Sequence, residues 1–196
     1  MSHSEFNAIL DLLAMLFFDW RTGMLALLLA TAAISDYRSQ RIPNWLVLAG
    51  ALFGVICNTV MPPSPHDTLL FPLAGLGLGL LLFLPLYLLR AMGAGDVKLL
   101  AMVGSFLGPE DTFYAALASM VAGGVLAILF VLARGTAPRV LQNLTAIFQS
   151  GLVDAVGGSV PSLRIAASAS AGRLPYGIAI ATGTLGYLIL RQLGFI

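Results

Sequence analysis

Two aspartates stand out in a mostly apolar chain: Asp36 in "ISDYRSQRIPNWL" and Asp96 in "AMGAGDVKLL". An ionisable residue at membrane depth is expensive, and such residues mark functional sites. Two carboxylates that meet in a partly dry site cannot both ionise easily. One keeps its proton while the other stays charged, and the pair titrates as a unit. The charged member can take a proton from water, and the protonated member can polarise a carbonyl. That is peptide hydrolysis with no metal and no nucleophilic side chain. An acidic pair could equally carry ions or protons, and a lone aspartate at a helix end also serves as a cap. Gly93 and Gly95 precede Asp96. They let the backbone turn into a helix and approach an extended substrate chain closely. Lys98 and Arg38 each lie two residues after an aspartate. Helical spacing points them away from the carboxylate and toward lipid head groups.

The elements that must position these groups are apolar helices. Of the 196 residues, 59% are hydrophobic and 10% charged. The mean hydropathy of +0.94 is that of an integral membrane protein. A net charge of +1 argues against nucleic acid as a partner. The single cysteine, Cys57, excludes an internal disulfide or a Cys-rich zinc site. His66 has too few neighbouring ligands for a metal, so no metal or cofactor is expected.

The pattern predicts an all-α, polytopic fold of about six membrane helices: Thr22 to Tyr37, Pro43 to Val60, Leu69 to Leu89, Val97 to Leu107, Thr112 to Ala133 and Leu174 to Leu193. All of residues 1–196 form one domain in this reading, with an N-terminal amphipathic segment over 1–21 and a cytoplasmic loop over 134–173. That loop contains an amphipathic stretch suited to a membrane surface. Pro43 can open the second helix. Asn44 could hydrogen-bond back across the loop that carries Asp36. The Gly75-Leu-Gly77-Leu-Gly79 run reads as close helix packing rather than a ligand loop.

Lysine and arginine fall in the connections after helices one, three and five, which marks that side as cytoplasmic and puts both termini outside. Asp96 lies roughly 18 Å of helix from Gly108, and Asp36 roughly 24 Å from Trp20. Both carboxylates therefore reach similar depths from the same face.

Three motifs together resemble a known family. Asp36-Tyr-Arg38-Ser-Gln-Arg41-Ile42-Pro43-Asn44 resembles the first aspartate motif of the type IV prepilin peptidases. Gly93-Ala-Gly95-Asp96-Val-Lys98 resembles the second, the signature of the Gly-x-Gly-Asp intramembrane aspartic proteases. "RLPYGIAIATG", Arg173 to Gly183, resembles the motif that opens the family's last helix. The resemblance implies an endopeptidase of the bacterial inner membrane, cutting the leader from a prepilin or pseudopilin at the cytoplasmic face after a glycine. It implies Asp36 and Asp96 as the catalytic pair. Gly93, Gly95, Lys98, Arg38, Pro43, Asn44, Pro175, Tyr176 and Gly177 are then candidates to bind or position substrate. Larger members carry paired Cys-x-x-Cys motifs and also N-methylate the product. This chain resembles the short branch serving Flp-type, tight-adherence pili, with cleavage alone and no zinc. Membrane lipids and pilus or secretion machinery are the further partners implied. A carboxylate-dependent transporter and a non-enzymatic pilus-assembly subunit are the alternatives.

Overall fold

The computed structural model describes residues 20–61, 69–89, 91–133, 135 and 176–195. All regular structure among them is helical: α1 (Trp20–Ser39), α2 (Asn44–Val60), α3 (Leu70–Leu88), α4 (Ala94–Ala133) and α5 (Tyr176–Gln192). Of the expected amphipathic segment over 1–21, only Trp20 and Arg21 are described, and they open α1. The expected loop over 134–173 lies outside the described residues except for Gly135. The chain divides into two compact units, Met1–Gly123 with Pro175–Ile196, and Gly124–Leu174. The described part of the second unit consists of the last turns of α4 and Gly135.

Four expected spans coincide with α1, α2, α3 and α5 to within a few residues. The fourth and fifth, expected as separate helices, are the two limbs of α4, which meet at a kink at Gly108. There φ is 79° and ψ is −179°, outside helical geometry and open mainly to glycine. Pro109 follows and has no N–H to return. Leu70–Leu88 and Ala94–Ala133 are long and apolar enough to cross a membrane, and Asn44–Val60 is a shorter apolar helix.

In the first unit, α1 packs along α5 and against α2, and α2 packs against α3. Leu25, Leu29, Leu99, Leu100, Met102 and Ile180 are fully buried. The first half of α4 runs through this core and is held by α3 at backbone contact. A Cβ on Gly75 would overlap the Gly104 carbonyl, and one on Gly104 would overlap Gly75. A Cβ on Gly79 would crowd the Leu100 carbonyl, whereas Gly77 meets nothing. Glycines four apart share one helix face, so Gly75 and Gly79 form the contact and Gly77 points elsewhere. Close backbone approach through small residues is how helices associate when burial from water gives little drive.

The break at Gly108 has its own partner. Pro109 cannot donate to the Ser105 carbonyl four residues back, so that acceptor is left open. Asn58 of α2, itself buried, donates Nδ2 to Ser105 O at 2.8 Å and to Phe106 O at 2.9 Å. Arg21 Nη1 in turn donates to Asn58 Oδ1 at 3.0 Å, and Arg21 also donates to the Met61 carbonyl. Asn58 thus replaces the ladder donors lost at the turn. Asn58→Ala is expected to lower unfolding stability in detergent by about 2 kcal/mol, the usual range for stranding buried acceptors. Thermal unfolding of the variant beside wild type measures this.

Candidate active site

Asp96 is the third residue of α4, and Gly93 is the residue that caps it. The Gly93 N–H donates to Asp96 Oδ2 at 3.1 Å, while Asp96 N–H donates to the Gly93 carbonyl at 3.2 Å. An acidic side chain at the third position reaching back to the capping N–H is one half of a capping box. Gly93 and Gly95 flank the start of α4. Neither has a left-handed backbone among the described residues. What they supply is space. A Cβ on Gly93 would sit 3.1 Å from Asp96 Oδ2, and one on Gly95 would sit 3.3 Å from Ile42 Cβ.

Asp36 lies in the last turns of α1 and is buried. Its Oδ2 accepts the Gly177 N–H at 2.7 Å. Gly177 is the second residue of α5, where the N–H has no acceptor within its own helix. A Cβ there would lie 2.8 Å from Asp36 Oδ2 and 3.0 Å from Asp36 Cβ, so only glycine permits this approach. Both carboxylates therefore sit at the positive end of a helix: Asp96 at its own, Asp36 at that of α5. Each uses one oxygen for a backbone N–H, and the other oxygen accepts no hydrogen bond among the described residues.

The two aspartates line one cavity of about 270 Å³, together with Gln40, Arg41, Ile42, Asn44, Gly93, Ala94 and Gly95. Its α1–α2 wall is a tightly built loop. Gln40 has a φ of 50°, and its N–H donates to the Asp36 carbonyl at 2.8 Å. The Ser35 and Ser39 hydroxyls both donate to the Arg41 carbonyl, at 2.9 and 3.2 Å. Pro43 is extended, with φ −62° and ψ 128°, and caps α2 from just outside it, one residue before its expected place as the first helical residue.

Lys98 is exposed, and its Nζ donates to Asn44 Oδ1 at 3.1 Å. Asn44 accordingly binds across to α4 rather than back over its own loop. Arg38 is exposed and is not among the cavity's lining residues. Tyr176 opens α5, lies beside Gly123 and is not among the cavity's lining residues. Pro175 lies outside the described residues. Gln40, Arg41, Ile42 and Ala94 were missed as lining residues, although Arg41 and Ile42 stand inside the first motif and Ala94 inside the second. Among the described residues, no group of three or more His, Cys, Asp or Glu is placed to hold a metal ion.

A second polar cluster ties α4 to α5. Asp111, just after the turn in α4, pairs with Arg191 and accepts the Tyr187 hydroxyl at 2.7 Å, and Tyr187 stacks on Tyr114. Ser119 Oγ reaches the Ile180 carbonyl at 3.5 Å, beside the close contact of Gly183 with the Ser119 backbone. These contacts fix the helix whose first turn holds Asp36.

Residues 23–128, more than half of the chain, match the type IV leader peptidase family. The chain belongs to that family and is a peptidase with a prepilin-type substrate. The matched span contains both Asp36 and Asp96, whereas Gly177 lies beyond it. Comparison with curated proteins and with solved structures gave no significant match.

Gly177→Ala forces the Asp36 carboxylate and α5 apart and is expected to lower peptidase activity at least about tenfold, the scale on which a misplacement of about 1 Å near a site is felt. Gly186→Ala on the same helix, where a Cβ meets nothing within 4 Å, is expected to leave activity unchanged. Initial cleavage rates of a purified prepilin by the two variants check both.

Proposed function

We propose that this protein is an intramembrane aspartic endopeptidase that removes the leader of a prepilin or pseudopilin, with Asp36 and Asp96 as its catalytic pair. The observation that carries this reading is the opening of both aspartates onto one cavity in a chain of the leader peptidase family. One carboxylate, ionised, takes a proton from a water molecule as that water attacks the scissile carbonyl. The other, protonated, donates to the carbonyl oxygen. Collapse of the tetrahedral intermediate breaks the C–N bond, and the proton gathered by the first carboxylate passes to the leaving amine. The backbone N–H groups of Gly93 and Gly177 hold one oxygen of each carboxylate, leaving the other for this chemistry.

Six membrane crossings, an inner-membrane location and a cytoplasmic site form the topology of this proposal. Arg38, Arg41 and Lys98 gather at the cavity end, which fits the cytoplasmic side. A crossing needs about 20 apolar residues; α3 and α4 are long and apolar enough among the described residues, and the six-crossing reading counts α1, the shorter α2, α5 and each limb of α4 as well. Cleavage after a glycine follows from the family resemblance, as do the Flp-type pilus, its assembly machinery as a partner, and the single-domain organisation. Cleavage without methylation is supported by the single cysteine and by the four-residue connection, 40–43, between α1 and α2, which leaves no room for a Cys-x-x-Cys insertion there.

Asp36→Asn and Asp96→Asn are each expected to abolish cleavage of a Flp-type prepilin in detergent while keeping wild-type thermal unfolding. Intact mass should show the wild-type product cut after the leader glycine and unmethylated. Full cleavage by either variant contradicts the assignment.

A further inference from the structure

The side-chain amide of Asn44, at an exposed position, is oriented by the Lys98 contact. An ammonium group has only donors, so the end of the amide that faces Lys98 Nζ must be the oxygen. The NH2 end is then turned away from Lys98, and Asn44 lines the cavity shared by Asp36 and Asp96. Among the described residues, Asn44 Nδ2 makes no hydrogen bond. The amide stands on firm backbone: it is the first residue of α2, directly after the extended Pro43, whose carbonyl accepts the Leu46 N–H at 3.2 Å.

An extended peptide drawn into this cavity brings backbone carbonyls away from water, and each then needs a donor. An ionised carboxylate only accepts hydrogen bonds, so the aspartates serve the reacting carbonyl at most. A neutral amide can serve a flanking carbonyl without neutralising the charge on the aspartates. We propose that Asn44 donates its side-chain N–H to a backbone carbonyl of the bound leader peptide next to the cut, and that Lys98 is the positioning residue that sets the orientation of this amide. The inference rests on the proposed endopeptidase reading and adds to it a neutral substrate-binding donor and the cation that aims it.

Lys98 then acts through Asn44 and not independently, which a double-mutant cycle resolves. The test uses the full chain in detergent, a purified Flp-type prepilin as probe, and kcat/KM from initial rates, with thermal unfolding of every variant. Asn44→Asp keeps the size and the Lys98 contact but removes the donor; it should lower kcat/KM about tenfold or more, the usual effect of losing one such hydrogen bond. Asn44→Ala should do the same. Lys98→Met should fall by a similar factor, and Lys98→Arg, which keeps a donor, should recover to within about threefold of wild type. In the Asn44→Ala background, Lys98→Met should cause no further loss. Losses that multiply in the double variant, or an Asn44→Asp enzyme within about twofold of wild type, overturn the inference. If that happens while wild-type cleavage still requires Asp36 and Asp96, this inference alone falls. If wild type does not cleave, or the aspartate variants do, the endopeptidase reading falls and takes the inference with it.

Discussion

A carboxylate placed among apolar helices must find hydrogen-bond donors, and the rest of this structure follows from how two aspartates find them. Each takes a backbone N–H from the first turn or cap of a helix, where such groups are otherwise without acceptors. Asp96 uses the cap of its own helix, and Asp36 uses the start of α5, 141 residues further along the chain. The second arrangement demands that α1 and α5 lie side by side, and they do. It also demands glycine at position 177, since a Cβ would occupy the space of the carboxylate.

The surrounding packing serves the same end. α4 carries Asp96 into the core and is gripped by α3 through Gly75 and Gly79 at backbone distance. Its course is broken at Gly108, and Asn58 meets the carbonyls beside the break. Beyond the break, Asp111, Tyr187 and Arg191 tie α4 to α5. The stretch of α4 from Leu100 to Ser119 is thereby held to α2, α3 and α5. Such a frame suits a site whose groups must be pre-placed for chemistry, because displacement by about 1 Å can be felt strongly in rate.

The sequence was most informative where a single residue type carries its meaning alone. Asp36 and Asp96 are conspicuous because charges are rare in this chain, and the helical segments are conspicuous because apolar runs are long. The run Gly75, Gly77 and Gly79 was legible as packing, but not that Gly75 and Gly79 make the contact while Gly77 meets nothing. Partnerships across the fold were not legible. Nothing local tells that Lys98 reaches Asn44, 54 residues away, or that Gly177 serves Asp36. The glycines before Asp96 were read for a turn into the helix and a close approach; the atoms that crowd them, Asp96 Oδ2 at Gly93 and Ile42 Cβ at Gly95, were not legible. A polar asparagine inside apolar α2, with a Gly-Pro break in a neighbouring helix, was the one available signal for Asn58. Reading it requires knowing that α2 and α4 are adjacent.

The central claim, that Asp36 and Asp96 work as a pair across one cavity, is tested most directly by thiol bridging in membranes. In a Cys57→Ser background, Asp36→Cys and Asp96→Cys are combined and treated with dibromobimane, which fluoresces only when it links two neighbouring thiols. The account predicts strong fluorescence from the double variant and none from either single variant. Two thiols that each react with a monofunctional label but never bridge would contradict it.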